Sequence, residues 1–408
     1  MAITIQSSPA PYSSMHNDLW YVSSSTNVNN TAFKFVYDVF VNGAQVSRTK
    51  VYPSPSAEGS YGIFNPSPMI RSFVTNYFEP SGSSILVASN DKIKVDSQIR
   101  IGEEYVSGGN LITNLNLASG ALSAYNYYPP LFADILFTNE DNPLVLSDYY
   151  DNLLIENFTD DWLTERDTND ITIEYGDNFY ATFFRVTTGA YSAKIDVLNE
   201  AGSILDTASG SITFSGQMNL FNCSAASINT FAGRSLINES AYGYDVYIKL
   251  GAAESRKLRF TQKCYPKFRQ YNLNFLNRLG GWDTMKFALV NRRSSEFTKT
   301  SYRKNEYQLS GNAMTNIDAY NKYNESTVNY AIQHKDMFHL ISDWVSQQDY
   351  EWLAQLMSSS IVYMEVQGAF FPVTISNNNY QYKLESADKL FNFEIDIEVS
   401  KYVNSQFR

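Results

Sequence analysis

Few residues of this chain have both the type and the spacing for chemistry. His16, His334 and His339 are its three histidines. The last two are five apart, on neither one helical face nor one strand face, so a two-histidine metal site is not expected. Cys223 and Cys264 are the two cysteines. They are too few for a disulfide framework, lack the paired spacing of a zinc site and have no histidine close in sequence to generate a thiolate, so two reduced thiols are expected. Two carboxylates flanking a glycosidic bond suffice for hydrolysis. That chemistry singles out Glu103/Glu104 and Asp160/Asp161, the latter beside Trp162, whose ring could stack on a sugar. Neighbours on a strand point to opposite faces, so neither pair is a preformed dyad. No G-x-S-x-G elbow, P-loop, G-x-G-x-x-G or H-E-x-x-H stretch occurs. No catalytic, cofactor-binding or metal-ligating residue is assigned.

The elements that would carry these residues read mostly as strands. Phe33, Phe35, Tyr37, Val39 and Val41 recur at period two, Asn42-Gly43 supplies the positive-φ pair of a tight hairpin, and Ala44 to Tyr52 returns as the partner. Ile93, Val95, Ile99 and Ile101 continue the alternation, with Tyr105 closing a first β unit. The stretch before Trp20, rich in Ser and Pro, reads as an extended arm. Asn, Gly and Ser between Ser107 and Asn126, then Pro129-Pro130, read as a boundary. Between residues 170 and 264, short runs beginning at Ile171, Asn178, Tyr191, Ser211, Tyr244 and Arg256 are separated by turn residues, as in a β-sandwich. Residues 271–290 form two further expected strands around Gly280-Gly281. Ser346 and Asp349 make a capping box ahead of Tyr350, Leu353 and Leu356, which predicts a helix from Ser346 to Met357. Strands follow over 361–367, 369–375 and 379–384, with Phe391, Phe393, Ile395, Ile397 and Val399 on one face of a last one.

Composition agrees. The 408 residues include 30 Tyr and 26 Phe, which suit half-buried pleated surfaces and large contact faces. Net charge is −11, which argues against general nucleic-acid binding. The charge is uneven. Asp134 to Asp206 holds 16 acidic and 3 basic residues, while Gly251 to Ser310 holds 13 basic and 4 acidic. Either these are solvated faces, or the acidic face of one copy meets the basic face of the next in a head-to-tail ring. The run Arg256 to Phe275 interleaves basic and aromatic residues. That pattern can track single strands, although strand alternation produces the same string and is the preferred reading. No signal peptide or membrane span is expected from the sequence, so folding in a cytoplasm is.

Certain phrases have a familiar form. Pro9 to Tyr12, Phe33 to Val39 with the hairpin after it, Arg48 to Pro53, Phe275 to Trp282 and Tyr380 to Gln406 together resemble tail-associated structural virion proteins of tailed phages infecting Bacteroidetes, crAss-like phages among them. The resemblance covers about a third of the chain and carries over no catalytic or ligand residue. It implies a β-rich subunit of a tail, collar ring, adaptor or baseplate, present in several copies.

The expected architecture is therefore mainly β. An extended arm (1–30), a β domain (31–126) and a sandwich-like β domain (127–265) precede a C-terminal α+β domain (266–408) with an antiparallel sheet and a short helix. The expected function is a non-enzymatic structural subunit of a tailed-phage virion, assembled in the host cytoplasm. Its partners would be copies of itself and tail, portal-side or baseplate proteins, with no membrane span, no specific nucleic acid and no cofactor. The alternative is a host-glycan receptor-binding module using Trp20, Trp162 or clustered tyrosines, and, further off, a glycan depolymerase.

Overall fold

The computed structural model describes residues 3–9, 12–15, 18–75, 77–88, 94–125, 160–185, 187–263, 268–304, 308–315, 326–377, 390–401 and 403–404. His16, Cys264, Pro129-Pro130 and the strand expected over 379–384 lie outside them. The chain forms two compact units, Met1–Cys264 with Phe275–Thr284, and Tyr265–Asn274 with Met285–Arg408. It is mainly β, with mostly antiparallel sheets and few, short helices.

The first unit begins with β1 (Ile3–Ser7), β2 (Tyr12–Ser14), β3 (Tyr21–Ser25), β4 (Thr31–Val41), β5 (Ala44–Val51), β6 (Ser54–Ser56), β7 (Gly59–Phe64), the single turn α1 (Ser67–Arg71), β8 (Leu86–Val87), β9 (Lys94–Ser107) and β10 (Asn110–Tyr125). Sheet β1-β3-β7-β6 faces sheet β2-β10-β9-β4-β5 across one apolar core. The residues read as an arm therefore include paired strands of this sandwich. All five period-two residues of β4 are buried, as the alternation requires. Asn42 (φ 50°) and Gly43 (φ 83°) make the turn into β5. Gly62 of β7 lets the two sheets close, because a Cβ there would stand 2.5 Å from both the Phe35 ring and the Tyr37 hydroxyl. At the same level the Ser23 and Tyr37 hydroxyls bond each other at 2.6 Å across the sandwich.

The boundary expected between Ser107 and Asn126 holds a strand of the first sandwich. Residues 110–125 are a strand, joined to β9 by Gly108 (φ 59°) and Gly109 (φ 81°). Register slips between Asn114 and Ala118, around positive-φ Asn116, and the slip hides the alternation from the sequence.

The unit continues with β11 (Asp161–Trp162), β12 (Ile171–Ile173), β13 (Tyr180–Phe184), β14 (Tyr191–Leu198), β15 (Ile204–Ile212), β16 (Met218–Asn222), α2 (Ala225–Ala232), β17 (Gly243–Leu250), β18 (Ala253–Glu254) and β19 (Leu258–Gln262). Sheet β11-β13-β16-β8 packs on sheet β12-β19-β17-β14-β15, with β18 beside β17. This is the sandwich the turn-separated runs predicted, closed on one edge by β8 from the preceding stretch. Its core is ring-rich: Trp162, Phe183, Phe214 and Phe221 meet at centroid distances of 5.2 to 6.2 Å. The hairpin at 275–284 is tied in through Asn277, which is buried. Its Oδ1 accepts from the N–H groups of Leu279 (3.0 Å) and Gly281 (2.9 Å). Its Nδ2 donates to Leu163 O (2.6 Å) and to Asp283 Oδ2 (3.0 Å).

In chain order β20 (Tyr271–Leu276), β21 (Trp282–Phe287), β22 (Arg292–Arg303), β23 (Gln308–Ser310), β24 (Ala313–Thr315), β25 (Thr327–Ile341) and β26 (Val345–Ser346) follow. Then come α3 (Gln347–Trp352), α4 (Ala354–Ser358), β27 (Val362–Val366), β28 (Ala369–Ile375), β29 (Leu390–Phe391), β30 (Glu394–Val399) and β31 (Val403–Asn404). In the second unit β27-β28-β30-β25-β22 are neighbours in that order. The Ser346 hydroxyl accepts from Asp349 N at 3.1 Å, as the capping box predicted. The single helix expected behind it is two, broken at Leu353. The last expected strand is also interrupted. Leu390–Phe391 pairs with β26, whereas Glu394–Val399 joins the main sheet. The apolar period is kept through the break, since Phe391, Phe393, Ile395 and Ile397 are all buried.

Two outcomes test this packing. Asn277→Ala strands two amide N–H groups and a carbonyl in the interior, so it should cost about 3 kcal/mol in urea denaturation. An unchanged midpoint would contradict the network. Burial pushes the Tyr21 and Tyr37 hydroxyls up from 10.0 to about 12. A proton held more tightly in the folded state stabilises fully below the unfolded value of 10.0 and less as pH rises toward the folded one. Stability should therefore fall between about pH 10 and 12, with a late tyrosinate absorbance phase that coincides with unfolding.

Candidate functional site

The residues singled out for chemistry are occupied in holding the fold. Glu103 is buried and accepts from Ser25 Oγ (2.7 Å), Asn27 Nδ2 (2.8 Å) and Asn114 Nδ2 (3.2 Å). Glu104, on the opposite face of β9, meets Lys50 Nζ at 2.7 Å, and that contact holds its carboxyl below the usual value. Asp160 accepts from Thr187 N and Tyr191 OH, both at 2.9 Å. Asp161 instead receives the backbone N–H (3.0 Å) and Nε (2.5 Å) of Arg256. Trp162 is 2% exposed and donates its indole N–H to Arg256 O at 3.0 Å. Stacking of Trp162 on a sugar is thus ruled out by its position inside the sandwich core. Both acid pairs split between separate partners, Glu103 and Glu104 because they alternate on β9, Asp160 and Asp161 because the first lies just before β11.

His334 and His339 lie on β25. The register sets His339 opposite Asp396 of β30, where Nδ1 and Oδ1 stand 2.7 Å apart, with Glu394 Oε2 3.8 Å from Nε2. The sequence could not reveal this trio, because 57 residues separate His339 from Asp396. Among the described residues no group of three or more His, Cys, Asp or Glu could hold a metal ion. Cys223 is buried in the sandwich core, and burial pushes its thiol up, away from nucleophilic character.

In the basic and aromatic run beginning at Arg256, Leu258 and Phe260 are buried while Arg256 and Lys257 lie at the surface and engage partners of the same unit. Arg259 makes two 2.8 Å contacts with buried Asp245, and Lys257 Nζ lies 4.5 Å from the Tyr247 ring. Arg278 pairs with Glu165. The pairs Asp161–Arg256 and Glu165–Arg278 therefore join the acidic tract to the basic one inside the first unit, and neutralise part of each.

The second unit presents the more unusual surface. β22 and β25 pair from Arg292–His339 to Arg303–Thr327, with one slip at Thr300/Ser301, and because β30 flanks β25 over Met337–Ile341 and β31 flanks it at Gln333–His334, this ribbon is two-stranded among the described residues only from Ile332 toward Thr327. All twelve residues of β22 are exposed, and from Asn329 to Met337 no β25 residue is buried. Only toward Phe338 and Leu340 does β25 enter a core. One ribbon face carries Arg293, Ser295 and Phe297. Arg293 and Ser295 both reach Asp336, at 2.7 and 2.6 Å. The Ser295 hydrogen bond, then Arg293, holds that carboxyl below the usual value. Phe297, 59% exposed, lies 5.7 Å from the His334 ring, and Tyr302 lies 6.1 Å from Tyr330. Among the described residues β22 pairs with β25 alone, so its outer edge presents unpaired backbone donors and acceptors. Such an edge can add a strand. Period-two reading overlooked the segment, because RRSSEFTKTSYR has no apolar face.

Among the described residues no helix is long and apolar enough to cross a membrane. No family model matches the chain, and no curated protein does. Among solved structures, the crystal structure of chicken CNTN1 FN1-FN3 domains aligns over 64% of this chain and 68% of its own, at 8% sequence identity and a TM-score of 0.17. A superposition that loose carries no argument, and the sandwich description rests on the sheets and cores themselves.

Proposed function

We propose that the chain is a non-enzymatic structural subunit of a tailed-phage virion, placed in the tail, collar ring, adaptor or baseplate and assembled in several copies. The observation that carries this reading is β22, exposed at all twelve residues on the outer side of a ribbon that narrows to two strands from Ile332 toward Thr327. An isolated two-stranded ribbon is marginal in water. One that is built into a chain and left bare gains stability where a neighbour covers it. The acid pairs support the same reading, since their oxygens are engaged by structural donors. The resemblance of the sequence phrases to virion proteins of Bacteroidetes phages supplies the context, with assembly in the host cytoplasm.

A second reading keeps one support: Trp20 and Trp344 are 49% and 60% exposed and could stack on host glycans. Mass spectrometry of gradient-purified particles decides first. The virion reading expects the chain in every particle, at several copies relative to the portal. Particles that lack it, with the protein free in the lysate, would sink that reading. Saturable binding on a glycan array that is lost in Trp344→Ala or Trp20→Ala would favour the receptor module.

A further inference from the structure

We infer that the outer edge of β22 is the contact through which one copy of this chain receives an acidic segment of a second copy, edge to edge and head to tail. This deepens the assembly reading and rests on it. A twelve-residue strand turns about six N–H and six C=O groups toward its outer edge, which no described strand pairs. Strand addition satisfies them all at once, and it gives a third strand to the part of the ribbon from Ile332 toward Thr327, where β22 is the one described neighbour of β25.

Charge selects the occupant. β22 carries Arg292, Arg293, Lys299 and Arg303 against Glu296, a net of +3, in a chain whose total is −11. Two such copies repel over most of their surfaces, and this edge is where one attracts the acidic remainder of the other. Two β22 edges facing each other would bring +3 against +3, so the contact is heterologous. A heterologous contact closes rings or extends stacks, as a multi-copy collar or tube requires. The exposed ring of Phe297 adds apolar area at the middle of the strand.

The test is sedimentation velocity of the full chain across a range of concentration and salt. Successive strand residues send their N–H groups to opposite edges. Of Ser294→Pro and Ser295→Pro, one therefore blocks the outer edge while keeping the pairing with β25. Arg292→Glu with Lys299→Glu removes the attraction and keeps the backbone. The expected result is a wild-type oligomer that weakens as salt rises and at least one proline variant that is monomeric with an unchanged melting curve. The charge variant should need about tenfold more protein to assemble at low salt.

A wild-type monomer at every concentration would overturn the inference. So would an oligomer indifferent to both proline variants and to the charge variant, and in that second case assembly through another face survives. Thr298→Cys in a Cys264→Ser background separates the geometries. A disulfide joining the introduced thiols of two copies would show that β22 pairs with itself and would overturn the head-to-tail contact. The particle measurement above fails or succeeds independently of these results.

Discussion

A strand satisfies its backbone polar groups only if it has a neighbour on each side, and this constraint organises the whole molecule. The first sandwich closes by pairing β4 between β5 and β9, and the second by borrowing β8 to flank β16. Two other edge strands are guarded locally. β5 ends against Pro53 and carries Arg48 and Lys50, each anchored to a buried carboxylate. β15 is covered on one face by α2, whose Phe231 ring would lie 2.7 Å from a Cβ at Gly210. Among the described residues β22 combines length and exposure with an edge that no strand pairs.

Charge follows the same logic at shorter range. Asp38, Asp196 and Asp245 sit inside sheets, and each is tolerated because its oxygens are met. Asp38 takes Arg48 at 2.6 and 2.9 Å, Asp196 takes the hydroxyls of Thr207 and Tyr247 at 2.6 and 2.9 Å, and Asp245 takes Arg259 at 2.8 Å twice. An unpaired charge in these positions would cost several kcal/mol. The acidic and basic tracts are thus partly an internal matter. The basic excess on β22 lies beyond those internal pairs, on a ribbon whose Asp336 engages Arg293.

Carboxylates and aromatic rings in a β-rich chain suggest sugar chemistry, and geometry disposes of part of that suggestion. Trp162 went to the core because its ring fills the space between Phe183 and Phe221 while its N–H finds the carbonyl of Arg256. Asp160 and Asp161, adjacent in sequence, diverge to Tyr191 and Arg256. What an adjacent pair of side chains can do was settled by the strand that carries it.

Residues 33–51 were legible from the sequence because their information is local: period two selects a buried face, and Asn42-Gly43 meets a turn that demands two positive φ angles. The same holds for the cap at Ser346, for the hairpin at Gly280 and for the turn-separated strands of the second sandwich. The strand at 110–125, inside the stretch expected as a boundary, was hidden because a bulge at Asn116 shifts the alternation, and β22 has no apolar face to mark it as a strand. Pairings over long separations, such as His339 with Asp396, Arg256 with Asp161 and β8 with β16, belong to the tertiary structure alone. Side-chain periodicity specifies which face of a strand seeks burial, but it carries no information about which distant strand will lie alongside.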